Sequence, residues 1–119
     1  MQNQILKKID TKTAKIGIVG LGYVGLPLAI RFSMSGYQVL GFDIDRDKVK
    51  KLNNGKSYLY HFKNSTIAEM KKNNFMAFTN FKNINKVDII LLCLPTPLGK
   101  MRQPDLSYLT DTLDVIQKF

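Results

Sequence analysis

Three glycines carry the first chemical signal in the chain: Gly20, Gly22 and Gly25, in the run Gly20-Leu21-Gly22-Tyr23-Val24-Gly25. The spacing G-x-G-x-x-G suits a backbone that turns sharply and lets a phosphate come close. Gly20 permits the tight turn. Gly22 admits the pyrophosphate of a dinucleotide, and Gly25 lets a following helix pack on the preceding strand. The free N–H groups and dipole of that helix start attract phosphate. A glycine-rich turn without a ligand would have the same letters, so context decides. Asp43 supplies some of it, at the end of the next apolar run. A carboxylate there accepts hydrogen bonds from ribose hydroxyls and repels a 2′-phosphate, which favours NAD over NADP. Asp43 could instead cap a turn, with Asp45 competing for that cap and leaving Asp43 to the ligand. Arg46 and Lys48 work the other way, since a nearby cation tolerates a phosphate.

A second loop has the right position for a cofactor contact. Cys93-Leu94-Pro95-Thr96-Pro97-Leu98-Gly99 follows an apolar run, and open α/β sheets bind ligands beyond the carboxyl ends of their strands. Two prolines stiffen it, which lowers the entropy lost on holding a ligand. Thr96 is its one side-chain hydroxyl. A plain strand-ending turn reads equally well. Cys93, the lone cysteine, has no base near it in sequence and reads as an inert, buried thiol. His61, the lone histidine, lies in a polar stretch with no partner in view. No catalytic or metal-ligating set is read from these residues.

The elements that would position the glycines and Asp43 follow from pattern. Residues 1–14 are polar with few apolar anchors and read as a flexible N-terminal tail. The run 15–20 is a short buried strand, and 26–35 an apolar helix with Pro27 in its first turn and Gly36 at its end. A second strand is expected at 38–43. A helix at 46–53 has Asp45 as its N-cap and Gly55 as its stop. Residues 58–64 read as a loop, and Thr66-Ile67-Ala68-Glu69 as a capping box opening a helix to 72. Strands are expected at 75–79 and 87–94, the latter apolar enough to be a central parallel strand. Asp105 then caps a helix carrying Leu106, Leu109, Leu113 and Ile116. The order β-α-β-α-α-β-β-α predicts an α/β fold, a Rossmann-type doubly wound parallel sheet. Residues 15–119 would be a partial NAD-binding domain, truncated after about four strands, since the chain stops where another strand should follow.

Gross composition is compatible with this. The chain has 119 residues, 45% hydrophobic and 23% charged, ordinary values for one globular domain. Its longest apolar run is too short to cross a membrane, and its N-terminus lacks the apolar core of a signal peptide. A single cysteine allows no internal disulfide and fits a cytoplasmic setting. The net charge is +9, from 18 basic and 9 acidic residues. It is spread along the chain without a basic–aromatic motif, so a solvated basic surface is preferred over a nucleic-acid site.

Together these motifs resemble the N-terminal domain of the UDP-glucose/GDP-mannose dehydrogenases. The resemblance rests on Gly20-Leu21-Gly22-Tyr23-Val24-Gly25-Leu26-Pro27-Leu28-Ala29, on Gly41-Phe42-Asp43-Ile44-Asp45 with Lys48, and on Leu94-Pro95-Thr96-Pro97-Leu98. Within the family, the last of these, followed by Arg102-Gln103-Pro104-Asp105-Leu106-Ser107-Tyr108, is most similar to UDP-N-acetylglucosamine 6-dehydrogenases. The resemblance implies a two-step, NAD-dependent oxidation of a sugar C6 alcohol to a carboxylate, for surface polysaccharide synthesis. It implies cofactor contacts from the glycine turn with Tyr23 and Val24, and from Asp43, Lys48 and Thr96. The family's catalytic cysteine, lysine and asparagine come from later segments that nothing here matches, so Cys93 is not its nucleophile. The expectation is a cofactor-binding fragment, inactive alone, of a homo-oligomeric parent that takes a nucleotide sugar and engages neither nucleic acid nor membrane. Rival readings are another Rossmann dehydrogenase, against which the Pro95-Thr96-Pro97 loop argues, and a non-catalytic nucleotide-sensing module.

Overall fold

The computed structural model of the chain describes residues 2–94 and 107–118. Four strands form one parallel sheet: β1 (Lys15–Val19), β2 (Gln38–Phe42), β3 (Met76–Phe78) and β4 (Ile89–Leu92). Their spatial order is β3-β2-β1-β4. Ile18 of β1 faces Gly41 of β2 on one side and Leu91 of β4 on the other. The order reverses between β1 and β4, so their carboxyl ends open a crevice there, the place where doubly wound sheets bind ligands.

Period-2 alternation sends each strand's side chains to two cores. Ile16, Ile18 and Val39 enter the larger one, which α2 (Gly25–Met34), α3 (Arg46–Asn53) and α4 (Asn64–Lys72) cover with Leu26, Ala29, Leu52, Ile67 and Met70. Val19, Leu40 and Phe42 enter a smaller one on the other face, with Ile84 from a short 3-10 turn (Ile84–Lys86) and Ile116 from α5 (Ser107–Ile116). Ile18 is fully buried, and burial of such a side chain contributes about 1.5–3 kcal/mol. The α/β doubly wound parallel fold expected from the sequence is present.

Several local expectations need correction. In place of a loose tail, Gln2–Asp10 form α1. Ile9 packs on the larger core and its carbonyl accepts the Tyr37 hydroxyl at 2.9 Å. Lys8 reaches Asp88 at 2.9 Å, and Asp88 also accepts the Lys15 N–H at 2.8 Å. One apolar anchor, one hydrogen bond and one ion pair seat a helix whose composition looks polar. Helix α4 starts at Asn64, ahead of the Thr66 capping box, with Lys63 at its N-cap position. The Asn64 side chain is taken up by the Ser57 N–H at 2.8 Å. Helix α3 matches 46–53, and Asp45 caps it by accepting from the Asp47 and Lys48 N–H groups. Strand β4 is shorter than 87–94 and only half covered, with Ile90 40% exposed. Among the described residues it has β1 as its one neighbour and lies at the sheet edge. Asp105 and Leu106 lie outside the described residues; Leu113 is exposed, and Ile116 packs as expected.

Candidate functional site

The strand ends are drawn level by hydrogen bonds that continue past them. Gly20 N–H donates to Phe42 O at 2.7 Å, Cys93 N–H to Val19 O at 2.7 Å, and Asp43 N–H to Phe78 O at 3.0 Å. The chain then leaves β1 through the glycine turn and enters α2, where Leu26 N–H closes on Gly22 O at 3.1 Å. With Leu26 N–H taken and Pro27 having none, the backbone that faces the ends of β1, β2 and β4 is the turn ahead of α2, at Gly22, Tyr23 and Val24.

Each glycine of the turn answers a different demand. Gly20 has φ +95°, a left-handed conformation that disfavours a side chain, and a Cβ on it would sit 2.5 Å from Cys93 O. A Cβ on Gly25 would sit 1.6 Å from Gly20 O, so α2 could not approach β1 this closely with any other residue. A Cβ on Gly22 would meet nothing within 4 Å. Among the described residues nothing therefore places a demand on Gly22; something that occupies the space in front of it would.

That space is a cleft of about 450 Å³, within the usual range for small-molecule sites. Gly20, Gly22, Tyr23, Val24, Asp43 and Lys48 all line it. Tyr23, Val24 and Ile44 stand 78%, 64% and 69% exposed around its mouth. Phe42, stacked on Phe78 and tilted against Phe81, gives it an apolar wall. Gly25 stands behind the turn and does not line the cleft. Thr96, with the rest of 95–106, lies outside the described residues.

Asp43 does more than the sequence suggested. Its Oδ2 accepts the Leu21 N–H at 2.9 Å and its Oδ1 the Asp45 N–H at 2.9 Å. It thus ties the glycine turn to the loop before α3. A carboxylate has about four lone-pair positions, so it retains acceptor capacity for ribose hydroxyls. The capping and ligand-binding readings of Asp43 are compatible. Cys93 is half-buried rather than buried and lines the cleft; burial still pushes its thiol pKa up.

Two participants escaped the sequence. Phe81 lies beyond β3 in a stretch without pattern. Tyr58, read as part of a loop, donates its hydroxyl to Leu21 O inside the glycine turn. The Lys48 ammonium stands over its ring, 5.6 Å from the centroid. Burial, then the charges of Asp43 and Asp45, push the Tyr58 hydroxyl pKa upward. Nothing in local sequence could announce a contact between residues so far apart. His61 packs against Tyr60 and Phe62 and does not line the cleft. Among the described residues no group of His, Cys, Asp and Glu could hold a metal, and no helix is long and apolar enough to cross a membrane.

Comparison with known proteins agrees with this geometry. The family model for the "UDP-glucose/GDP-mannose dehydrogenase family, NAD binding domain" matches residues 14–119. The chain is 36% identical over 104 residues to Protein CapL of Staphylococcus aureus, covering 87% of the chain and 23% of CapL. It is 36% identical over 108 residues to UDP-N-acetyl-D-glucosamine 6-dehydrogenase of Pseudomonas aeruginosa, covering 90% and 25%. The solved UDP-D-ManNAc dehydrogenase of Pyrococcus horikoshii superposes with a TM-score of 0.78 at 31% identity, over 87% of the chain and 25% of that structure. The chain spans about a quarter of the length of these relatives.

Proposed function

The chain belongs to the UDP-glucose/GDP-mannose dehydrogenase family, whose NAD-binding domain it forms, and from that premise we propose that it is the cofactor-binding part of a UDP-sugar 6-dehydrogenase. The proposed reaction is oxidation of the C6 alcohol of a UDP-sugar, with UDP-N-acetylglucosamine the first candidate, to a carboxylate that feeds surface polysaccharide. When bound, NAD supplies the hydride acceptor for both oxidation steps.

The observation that carries the reading is that no described residue occupies the space in front of Gly22. Two glycines of the turn are demanded by the fold itself, and the third answers to a ligand. The chain's own residues have clear tasks. N–H groups of the glycine turn, at the N-terminal end of α2, hold the pyrophosphate. Asp43 accepts from the adenine-side ribose and disfavours a 2′-phosphate. Lys48, which lines the cleft, adds a cation beside the ribose and phosphates. Tyr23 and Val24 cover the dinucleotide and exclude water, and Thr96 approaches it from the loop after β4. The sugar pocket, nucleophile and acid–base groups belong to chain beyond this domain, in a soluble, cytoplasmic homo-oligomer.

The test is formation of NADH, followed by absorbance, with UDP-N-acetylglucosamine, UDP-glucose and GDP-mannose as substrates. The full-length protein carrying this domain should turn over UDP-N-acetylglucosamine, with two NADH formed per sugar, and the 119-residue chain should turn over none. Turnover by the isolated chain would mean that the active site has been misplaced. Turnover of another sugar alone would keep the family and overturn the substrate.

A further inference from the structure

Leu21, the residue between the first two glycines, is held from three sides. Its side chain is fully buried, against Gly41 of β2. Its N–H is bound by the Asp43 carboxylate at 2.9 Å. Its carbonyl accepts the hydroxyl of Tyr58. The third restraint comes from the connection between α3 and α4, which braces itself: the Ser57 hydroxyl donates to Leu59 O at 2.9 Å and the Ser57 N–H donates to Asn64 Oδ1 at 2.8 Å.

The carbonyl matters because of what shares its peptide plane. A trans peptide is flat, and its C=O and N–H point in opposite directions. The Leu21 carbonyl and the Gly22 N–H belong to one such plane. A restraint on Leu21 O therefore sets the direction of the Gly22 N–H, at a glycine that lines the cleft. Gly22 has no side chain to resist rotation of that plane. The ring of the same tyrosine carries a second restraint, since it holds the Lys48 ammonium at the cleft wall.

We propose that Tyr58 is a positioning residue of the dinucleotide site: its hydroxyl fixes the Leu21–Gly22 peptide so that the Gly22 N–H is aimed for pyrophosphate, and its ring holds Lys48 at the same cleft. This rests on the reading of the glycine turn as the NAD site. The raised hydroxyl pKa keeps Tyr58 a proton donor at neutral and moderately alkaline pH.

The hydroxyl is tested by Tyr58→Phe, which keeps the ring. Affinities for NAD, ADP-ribose and adenosine are measured by competition calorimetry on the natural protein, beside its melting temperature. Loss of one such hydrogen bond predicts NAD and ADP-ribose binding weakened roughly 5- to 10-fold. Adenosine, which has no pyrophosphate, should bind unchanged. Unchanged NAD affinity, or an equal loss for adenosine, overturns the hydroxyl's role and leaves the NAD site intact. A wild-type protein that binds no NAD overturns the site itself and the inference with it. The ring is tested by Lys48→Met, which should weaken NAD in the wild type and add little in a Tyr58→Leu background. Full additivity of the two losses overturns the ring's role.

Discussion

Alanine at Gly22 and alanine at Gly25 should have opposite consequences, although the two glycines stand in one motif. At Gly25 the new methyl would lie 1.6 Å from the Gly20 carbonyl oxygen. That atom is backbone, in the peptide whose N–H, that of Leu21, is held by Asp43 at 2.9 Å, so it cannot step aside cheaply. Forced overpacking of this kind costs about 1–3 kcal/mol or more, and for a domain of this size each kcal/mol shifts the melting temperature by about 4–8 °C. At Gly22 the methyl meets nothing within 4 Å, and removing a glycine's unfolded-state freedom is worth up to about 1 kcal/mol. Gly22→Ala should therefore melt no lower than wild type. Its methyl would occupy the place of a pyrophosphate, and the same overpacking range applied to the ligand predicts NAD binding weaker by about 5- to 150-fold. The assay is thermal unfolding beside calorimetric titration of NAD for both variants. Gly22→Ala that binds NAD as wild type does, or that loses stability as Gly25→Ala does, would refute the assignment of the middle glycine to the ligand.

Other perturbations follow from the same contacts. Asp43→Ala should weaken NAD by about 1–3 kcal/mol, the range for a lost hydrogen bond to a charged group, and should also lower the melting temperature, because Leu21 and Asp45 lose their acceptor; calorimetry and unfolding that both match wild type would contradict it. Cys93 should alkylate more slowly than a free thiol at pH 8, because burial raises its pKa, and more slowly still with NAD in the cleft it lines; labelling rates indifferent to NAD would place it elsewhere. Asp88 ionises more readily in the fold than outside it, first through the Lys15 N–H and then through Lys8. Its contribution is therefore present above the unfolded carboxylate pKa of about 3.9 and lost as pH falls through the lower folded value. Asp88→Ala should cost about 1 kcal/mol at neutral pH, kept small by the exposure of the pair, and should flatten the acid limb of a stability–pH curve; an unchanged limb would show that α1 is seated without it.

The sequence was most legible where function and fold impose the same residue. Gly20 and Gly25 are required by backbone geometry, the apolar strands by burial on two faces, and Asp45 by the four unpaired N–H groups at the start of α3. Each of these leaves a local mark. The misses are contacts between distant segments. Helix α1 is seated by Tyr37 and Asp88, neither of which is visible from a polar nonamer. Tyr58 enters the site from an unpatterned connection, and its partner Leu21 is ordinary until the turn is folded. Strand β4 carries the composition of a central strand, which describes the faces it is built to bury and not the neighbours it has among the described residues. Cys93, expected to be buried, lies past the end of β4 in the cleft lining.

The central claim is that the turn at Gly20, Gly22 and Gly25, with Asp43 and Lys48, binds NAD. A calorimetric titration of NAD, with NADP in parallel, tests it most directly. The account predicts saturable binding of one NAD per chain and weaker binding of NADP. Absence of NAD binding, or tighter binding of NADP, would contradict it.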